Sequence, residues 1–295
     1  MTLPELGRIG LWTSALDTLP LAEAQRAVAA IEDQGWGALW FGEAYGREAM
    51  TAAQLYLSAT DRLIIATGIA SIYARDAVAT AGAARTLSAV SGNRFVLGLG
   101  VSHAPLVERM RGHAYGKPVQ AMREYLAAMD AAPYAVAGDE SPAPRVVAAL
   151  GPKMLELARD QAQGAHPYLV TPQHTAEARA LLGPGPVLAV EQAVVLSDDV
   201  AEWERRAHWH LEIYTGLPNY RNSWLRQGFA EGDLVRGGSL VLKQGMVMRG
   251  VEQIQAQVQQ HLSAGASQVC LQVLGPDTFT APVDDWRALA GVLLR

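Results

Sequence analysis

Short apolar runs rich in β-branched and aromatic residues alternate along the chain with segments whose apolar positions recur every three or four residues. The runs are RIGLWT (8–13), ALWFG (38–42), LIIATGIA (63–70), RFVLGLG (94–100), PRVVAAL (144–150), AHPYLVT (165–171), VLAVEQAVVL (187–196) and SQVCLQVL (267–274), so eight strands are predicted. Between the first two, Leu21, Ala24, Val28 and Ile31 share one helix face, opened by Pro20 and closed by Gly35. Asp76 predicts the N-cap of a helix from Ala77 to about Val90. Pro152 fits the first turn of another, ending near Gly164, and Pro172 after Thr171 fits a third.

Eight strands, each followed by a helix, predict an α/β fold of the parallel (β/α)8 TIM-barrel type, one domain over residues 1–295. An open doubly wound sheet is the alternative. Residues 198–266, between strands seven and eight, are too long for one helix and predict an insertion. SDDVAEWERRAHWHLEIYTGLP, YRNSWLRQGFA and VEQIQAQVQQHLSAGA read as helical, and the stretch from Glu231 to Gly250 as an irregular loop or lid.

Composition narrows the partners. A net charge of -5 and a pI near 5.8, without clustered Lys and Arg, give no electrostatic reason to bind nucleic acid. The single cysteine, Cys270 in QVCLQV, reads as a buried strand position and allows no internal disulfide, which fits a reducing cytoplasm. No apolar run reaches the roughly 18 residues of a membrane span, and MTLPELGRIG has no signal-peptide pattern, so the protein is expected in the cytosol, on a small-molecule substrate.

In a barrel, chemistry gathers at the C-terminal strand ends. There lie Trp12, Glu43 in WFGEAY, Ser71 to Tyr73, Gly98 to His103, Gly151 to Met154, and His166 to Tyr168. GLGVSH has His103 where a dinucleotide fingerprint needs its third glycine, and GHAYGKP is one residue short of a P-loop. Gly98 and Gly100 share one strand face and would leave room for a flat ring or ligand tail. Gly151, Pro152, Lys153 and Met154 open a helix whose free N–H groups and lysine suit a phosphate. His103 could exchange a proton near neutral pH. His208 and His210 point to different helix faces, so no metal site is expected, and no G-x-S-x-G elbow exists. The aromatics from Trp203 to Phe229 read mainly as packing, some walling a pocket under the insertion.

Together LWFGEAY, TGIASIYARDAVATAGAARTLSAVSGNRFVLGLGVSHAPLVE, YGKPVQAMREYL, AALGPKMLELARDQAQGAHPYLVTPQHT, EQAVV and GLPNYRN resemble the bacterial luciferase-like superfamily, most closely its actinobacterial coenzyme F420-dependent oxidoreductase branch. The resemblance covers nearly the whole chain. It implies a deazaflavin, or FMN as in the related monooxygenases, lying across the barrel mouth. Glu43 would face the ring, and a non-prolyl cis peptide behind it would fall between Ser71 and Ile72. Gly98, Gly100 and Ser102 would line the tail, Gly151 to Met154 would hold its phosphate, and His166 would lie at the site. A homodimer is also implied. Related sugar-phosphate dehydrogenases have a His after the acid and a Glu after the glycine motif; here stand Ala44 and His103, so the base would have to be His103, the proton-relay candidate, or come from elsewhere, which counts against a glucose-6-phosphate-type alcohol oxidation. A barrel that only carries a flavin is the non-catalytic alternative.

Overall fold

The computed structural model describes residues 3–137, 142–277 and 280–294. Its strands are β1 (Ile9–Trp12), β2 (Ala38–Phe41), β3 (Ile64–Thr67), β4 (Ala70–Ser71), β5 (Phe95–Gly100), β6 (Arg145–Val147), β7 (Gly164–Ala165), β8 (Val187–Val195), β9 (Val247–Arg249) and β10 (Gln268–Val273). All pairings are parallel. The order β1-β2-β3-β5-β6-β7-β8-β10 returns to β1 and closes the predicted eight-stranded α/β barrel. Closure leaves none of these eight strands with an open edge.

The helices are α1 (Leu21–Asp33), α2 (Ala49–Leu57), α3 (Ala77–Val90), α4 (Pro118–Asp130), α5 (Pro152–Gln161), α6 (Pro172–Leu182), α7 (Val200–Thr215), α8 (Pro218–Arg226), α9 (Leu240–Met246), α10 (Gly250–Ser263) and α11 (Val283–Leu293). The expected starts are found. Asp76 accepts from Ala79 N at 2.8 Å, Pro152 begins α5, and Thr171 caps α6 through His174 N at 3.2 Å.

Strand alternation divides the core in two. Leu11, Leu39, Ile65, Leu97 and Val147 pack outward under the helices, whereas Trp12, Trp40, Ala66, Val96, Val146 and Cys270 fill the barrel. Trp40 Nε1 donates to Gln268 Oε1 at 2.8 Å, satisfying the one polar group that this fully buried ring carries.

Two predicted elements differ. LIIATGIA is interrupted at Gly68–Ile69, so its last residues form the separate short strand β4 beside β5. The stretch from Glu231 to Gly250 is not an irregular lid: LVLKQGM is helix α9, capped by Ser239, and Val247–Arg249 pairs with β8. Leu242 and Met246, four apart, face inward, a helical spacing that the flanking glycines obscure. The insertion is tied down by indoles. Trp203 Nε1 donates to Val247 O at 2.9 Å and Trp224 Nε1 to Leu169 O at 3.1 Å.

Candidate active site

The strand ends open into a cavity of about 670 Å³. From the barrel come Trp12, Gly68, Ile69, His166, Tyr168 and Gln272, with Glu43, Ser102 and His103 from the loops after β2 and β5. From the insertion come Trp209, His210, Ile213 and Tyr214 on α7 and Tyr220 on α8. The expected aromatic wall therefore exists. His208 lies against Gly237 on the opposite side of α7 from His210.

Three imidazoles face this space. His166 is buried, stacked on Trp40 with ring centroids 4.5 Å apart, and its Nδ1 meets the Ala189 carbonyl at 2.8 Å. Burial lowers its pKa to about 4, so the ring is neutral at pH 7, its proton on Nδ1 and a lone pair on Nε2. Burial lowers His210 to about 3 and also pushes His103 down, against the opposing effect of a hydrogen bond that His103 donates to Asn219. His166 Nε2, His210 Nε2 and His103 Nδ1 have no partner among the described residues. The three rings line one cavity, while the unpartnered nitrogens themselves are covered by neighbouring atoms.

A hydroxyl chain runs beside His210, whose ring centroid is 5.2 Å from that of Tyr214 and 6.3 Å from that of Tyr168. The Tyr214 hydroxyl donates to that of Tyr168 at 2.9 Å, and Tyr168 donates to Gln272 Oε1 at 2.5 Å. Burial raises Tyr168, Tyr214 and Tyr220, so they stay protonated at neutral pH. Beneath them Glu191 is fully buried in β8. One of its oxygens accepts from Leu169 N at 2.9 Å, and Leu169 sits at φ +54°, a costly region for leucine. The carboxyl thus fixes the backbone beside Tyr168. Sequence inspection missed Glu191, because an acid inside a strand run gives no sign of what it holds; Tyr214, Gln272 and His210 carry equally little signal.

Several expected site residues stand elsewhere. The cis peptide lies between Gly68 and Ile69, not Ser71 and Ile72, because the predicted third strand breaks three residues earlier. Ser71 and Ile72 are buried away from the cavity, Ile72 in the outer core. The space at Gly98 and Gly100 belongs to the neighbouring strand. A β-carbon on Gly98 would collide with the Thr67 carbonyl, and one on Gly100 would meet Ile69 Cδ1 at 2.5 Å. These glycines admit the Thr67–Ile69 backbone, and it is Ile69 that reaches the cavity.

Glu43 lines the cavity but is engaged by the protein. It accepts from Ser71 N at 2.8 Å and Ala49 N at 3.2 Å and is paired with Arg75, which also binds Glu48 at 2.5 Å. Its present bonds tie loops together. Ser102, at φ +55°, and His103 do line the cavity. Gly151, Pro152, Lys153 and Met154 form the first turn of α5, outside the cavity, with Lys153 exposed and Arg226 Nη2 donating to Leu150 O at 3.1 Å. Among the described residues no group of three or more His, Cys, Asp or Glu side chains is placed to hold a metal ion, and no helix is long and apolar enough to cross a membrane.

The model of the luciferase-like monooxygenase family matches residues 6–270. The chain belongs to that family. Within it, a Mycobacterium tuberculosis protein named as a candidate coenzyme F420-dependent oxidoreductase is 36% identical over 119 residues, 40% of this chain and 34% of the relative. The match thus spans about a third of that relative's length. Solved luciferase-like barrels superpose along nearly the full chain. An F420-dependent secondary alcohol dehydrogenase, bound to an F420-acetone adduct, has a TM-score of 0.72 at 15% identity, covering 96% of this chain and 97% of its own. The F420-dependent tetrahydromethanopterin reductase of Methanopyrus kandleri gives 0.71 at 18%, covering 97% and 98%. The FMN-bound oxygenating constituent of 3,6-diketocamphane monooxygenase from Pseudomonas putida gives 0.69 at 13%, covering 96% and 95%. At these identities the structures share the fold.

Proposed function

We propose that this luciferase-like chain is an F420-dependent oxidoreductase acting on a small organic substrate, with the reaction in the cavity in front of Ile69. The observation that carries the reading is a cavity at the strand ends large enough for a tricyclic ring and a substrate together, walled by aromatic side chains and three imidazoles. The F420-dependent relative adds support.

The residues present fit such a group. Ile69, Gly68 and Trp12 give an apolar bed beside His166, the Trp12 indole fixed by a 2.8 Å bond to Gly68 O. Arg226 and Lys153 are the cations near the start of α5, where Gly151 to Met154 would hold a phosphate. When bound, F420 would supply hydride transfer to or from the substrate. His103 Nδ1 takes the proton leaving the substrate oxygen, and burial keeps the ring neutral and ready to do so at pH 7. FMN is the second reading, favoured by the FMN-bound barrel.

Titrating the apoprotein with F420 and with FMN, followed by cofactor fluorescence, tests the choice. F420 should bind at least tenfold tighter; tighter FMN binding would overturn the proposal. His103→Ala should leave F420 binding unchanged. Its turnover, screened on secondary alcohols and α,β-unsaturated ketones, should fall about 100-fold or more, the usual contribution of a positioned acid or base. Unaltered turnover removes His103 from the mechanism.

A further inference from the structure

We infer that the substrate of this cavity is an uncharged, largely apolar alcohol whose hydroxyl donates to Tyr214 and that phosphorylated analogues are rejected; the inference rests on reading the cavity as the oxidoreductase site. Its first basis is charge. Among the described residues no lysine or arginine lines the cavity, while Asp17, Glu43 and Asp277 do. The nearest arginines are committed elsewhere: Arg47 donates to Leu16 O and Leu19 O, both at 2.6 Å, and Arg75 pairs with Glu43 and Glu48. The imidazoles are neutral and give no countercharge. An anion entering here would lose its hydration and meet carboxylates, a cost nothing visible offsets.

The second basis is the direction of the hydroxyl chain. Tyr168 gives its proton to Gln272, and Tyr214 gives its proton to Tyr168. Both donors are spent, so Tyr214 presents an oxygen lone pair, which pairs with a substrate O–H rather than with a carbonyl. The surrounding Trp12, Tyr168, Trp209, Ile213 and Tyr220 offer apolar and aromatic area for the rest of the molecule. A hydroxyl held there is the reduced partner of the reaction; the bond to Tyr214 belongs to binding, and for oxidation the O–H turns to His103 Nδ1, because Tyr214 keeps its own proton on Tyr168 and cannot carry a second.

The test is calorimetric titration of the full chain, with and without F420, using 2-naphthol, 2-naphthyl phosphate and 2-methoxynaphthalene, the last retaining the oxygen without a proton to donate. 2-Naphthol should bind at least tenfold tighter than its phosphate. Tyr214→Phe should weaken 2-naphthol about threefold to tenfold, the range of one hydrogen bond, and leave 2-methoxynaphthalene unchanged. Ile213→Arg, at an exposed position on the cavity wall, should restore binding of the phosphate without disturbing the fold. Equal or tighter binding of the phosphate to the unaltered chain, no binding of any probe, or a Tyr214→Phe variant with an unchanged preference for 2-naphthol would overturn the inference. The two arms separate the claims: selectivity for 2-naphthol without F420 binding upholds this inference and removes the cofactor reading, whereas F420 binding with preference for the phosphate does the reverse.

Discussion

Gly98→Ala should destabilise the protein by on the order of 3–5 kcal/mol, above the usual cost of an extra core methyl, because the atom it meets is main chain and not a side chain that can turn aside. The added β-carbon falls on the carbonyl oxygen of Thr67. Thr67 cannot withdraw, since its own hydroxyl donates to Gly98 O at 2.7 Å and accepts from Gly98 N at 2.8 Å inside the barrel. Strands β3 and β5 would have to part, and closure transmits that shift around the barrel. A melting temperature lowered by roughly 10 °C or more is the expected reading for a chain of this size. Gly100→Ala is the informative contrast. Its β-carbon meets side-chain atoms of Ile69, Cδ1 at 2.5 Å and Cγ1 at 2.6 Å, and Ala148 Cβ at 3.4 Å; the Ile69 side chain can turn where a carbonyl cannot, so stability should change less. Ile69 lines the cavity, however, and its displacement should weaken cofactor binding. Equal melting temperatures for Gly98→Ala and the unaltered chain would refute the account of the fourth-barrel-strand glycines.

That pair of glycines shows what could and could not be read from the chain. Their period-two spacing marked a close backbone approach, and one exists, but periodicity along one strand does not say whether a neighbour strand or a ligand fills the space. The barrel was legible because alternation within strands and three-to-four spacing within helices are local signals that burial enforces. The position of His103 at the cavity was legible because the C-terminal strand ends of a barrel face its mouth. Glu43 was placed correctly at the cavity but not its bonds, since Arg75 lies 32 positions away and its pairing depends on how two loops meet. The Tyr214–Tyr168–Gln272 chain joins three elements separated by 46 and 104 positions, and no spacing rule reaches across such distances.

Glu191→Gln should make the protein more stable at pH 8 and slightly less stable near pH 4.5, so that the two stability curves cross. The carboxyl is fully buried, and burial raises its pKa from 4.5 to about 8. In the unfolded chain it ionises near 4.5, whereas in the folded chain it keeps its proton until about 8. Between those values the native state binds more protons than the unfolded one, so stability falls as pH rises, and the fall ends above pH 8. The shift of 8 − 4.5 = 3.5 corresponds to about 5 kcal/mol at 1.36 kcal/mol for each pKa step. Glutamine removes this penalty and keeps an oxygen for Leu169 N, while its amide N–H groups replace an oxygen that already lacks a partner among the described residues, at a cost of about 1–3 kcal/mol. A gain of a few kcal/mol should therefore remain at pH 8. His166, His210 and His261 act in the other sense. Held neutral by burial, at about 4, 3 and 4, they lower stability as pH drops below 6.5 in both proteins, leaving the crossing to Glu191 alone. Urea denaturation at pH 5, 6.5 and 8 reads the difference directly. Parallel curves across that range would mean that Glu191 is already ionised in the fold, and that a countercharge holds it there.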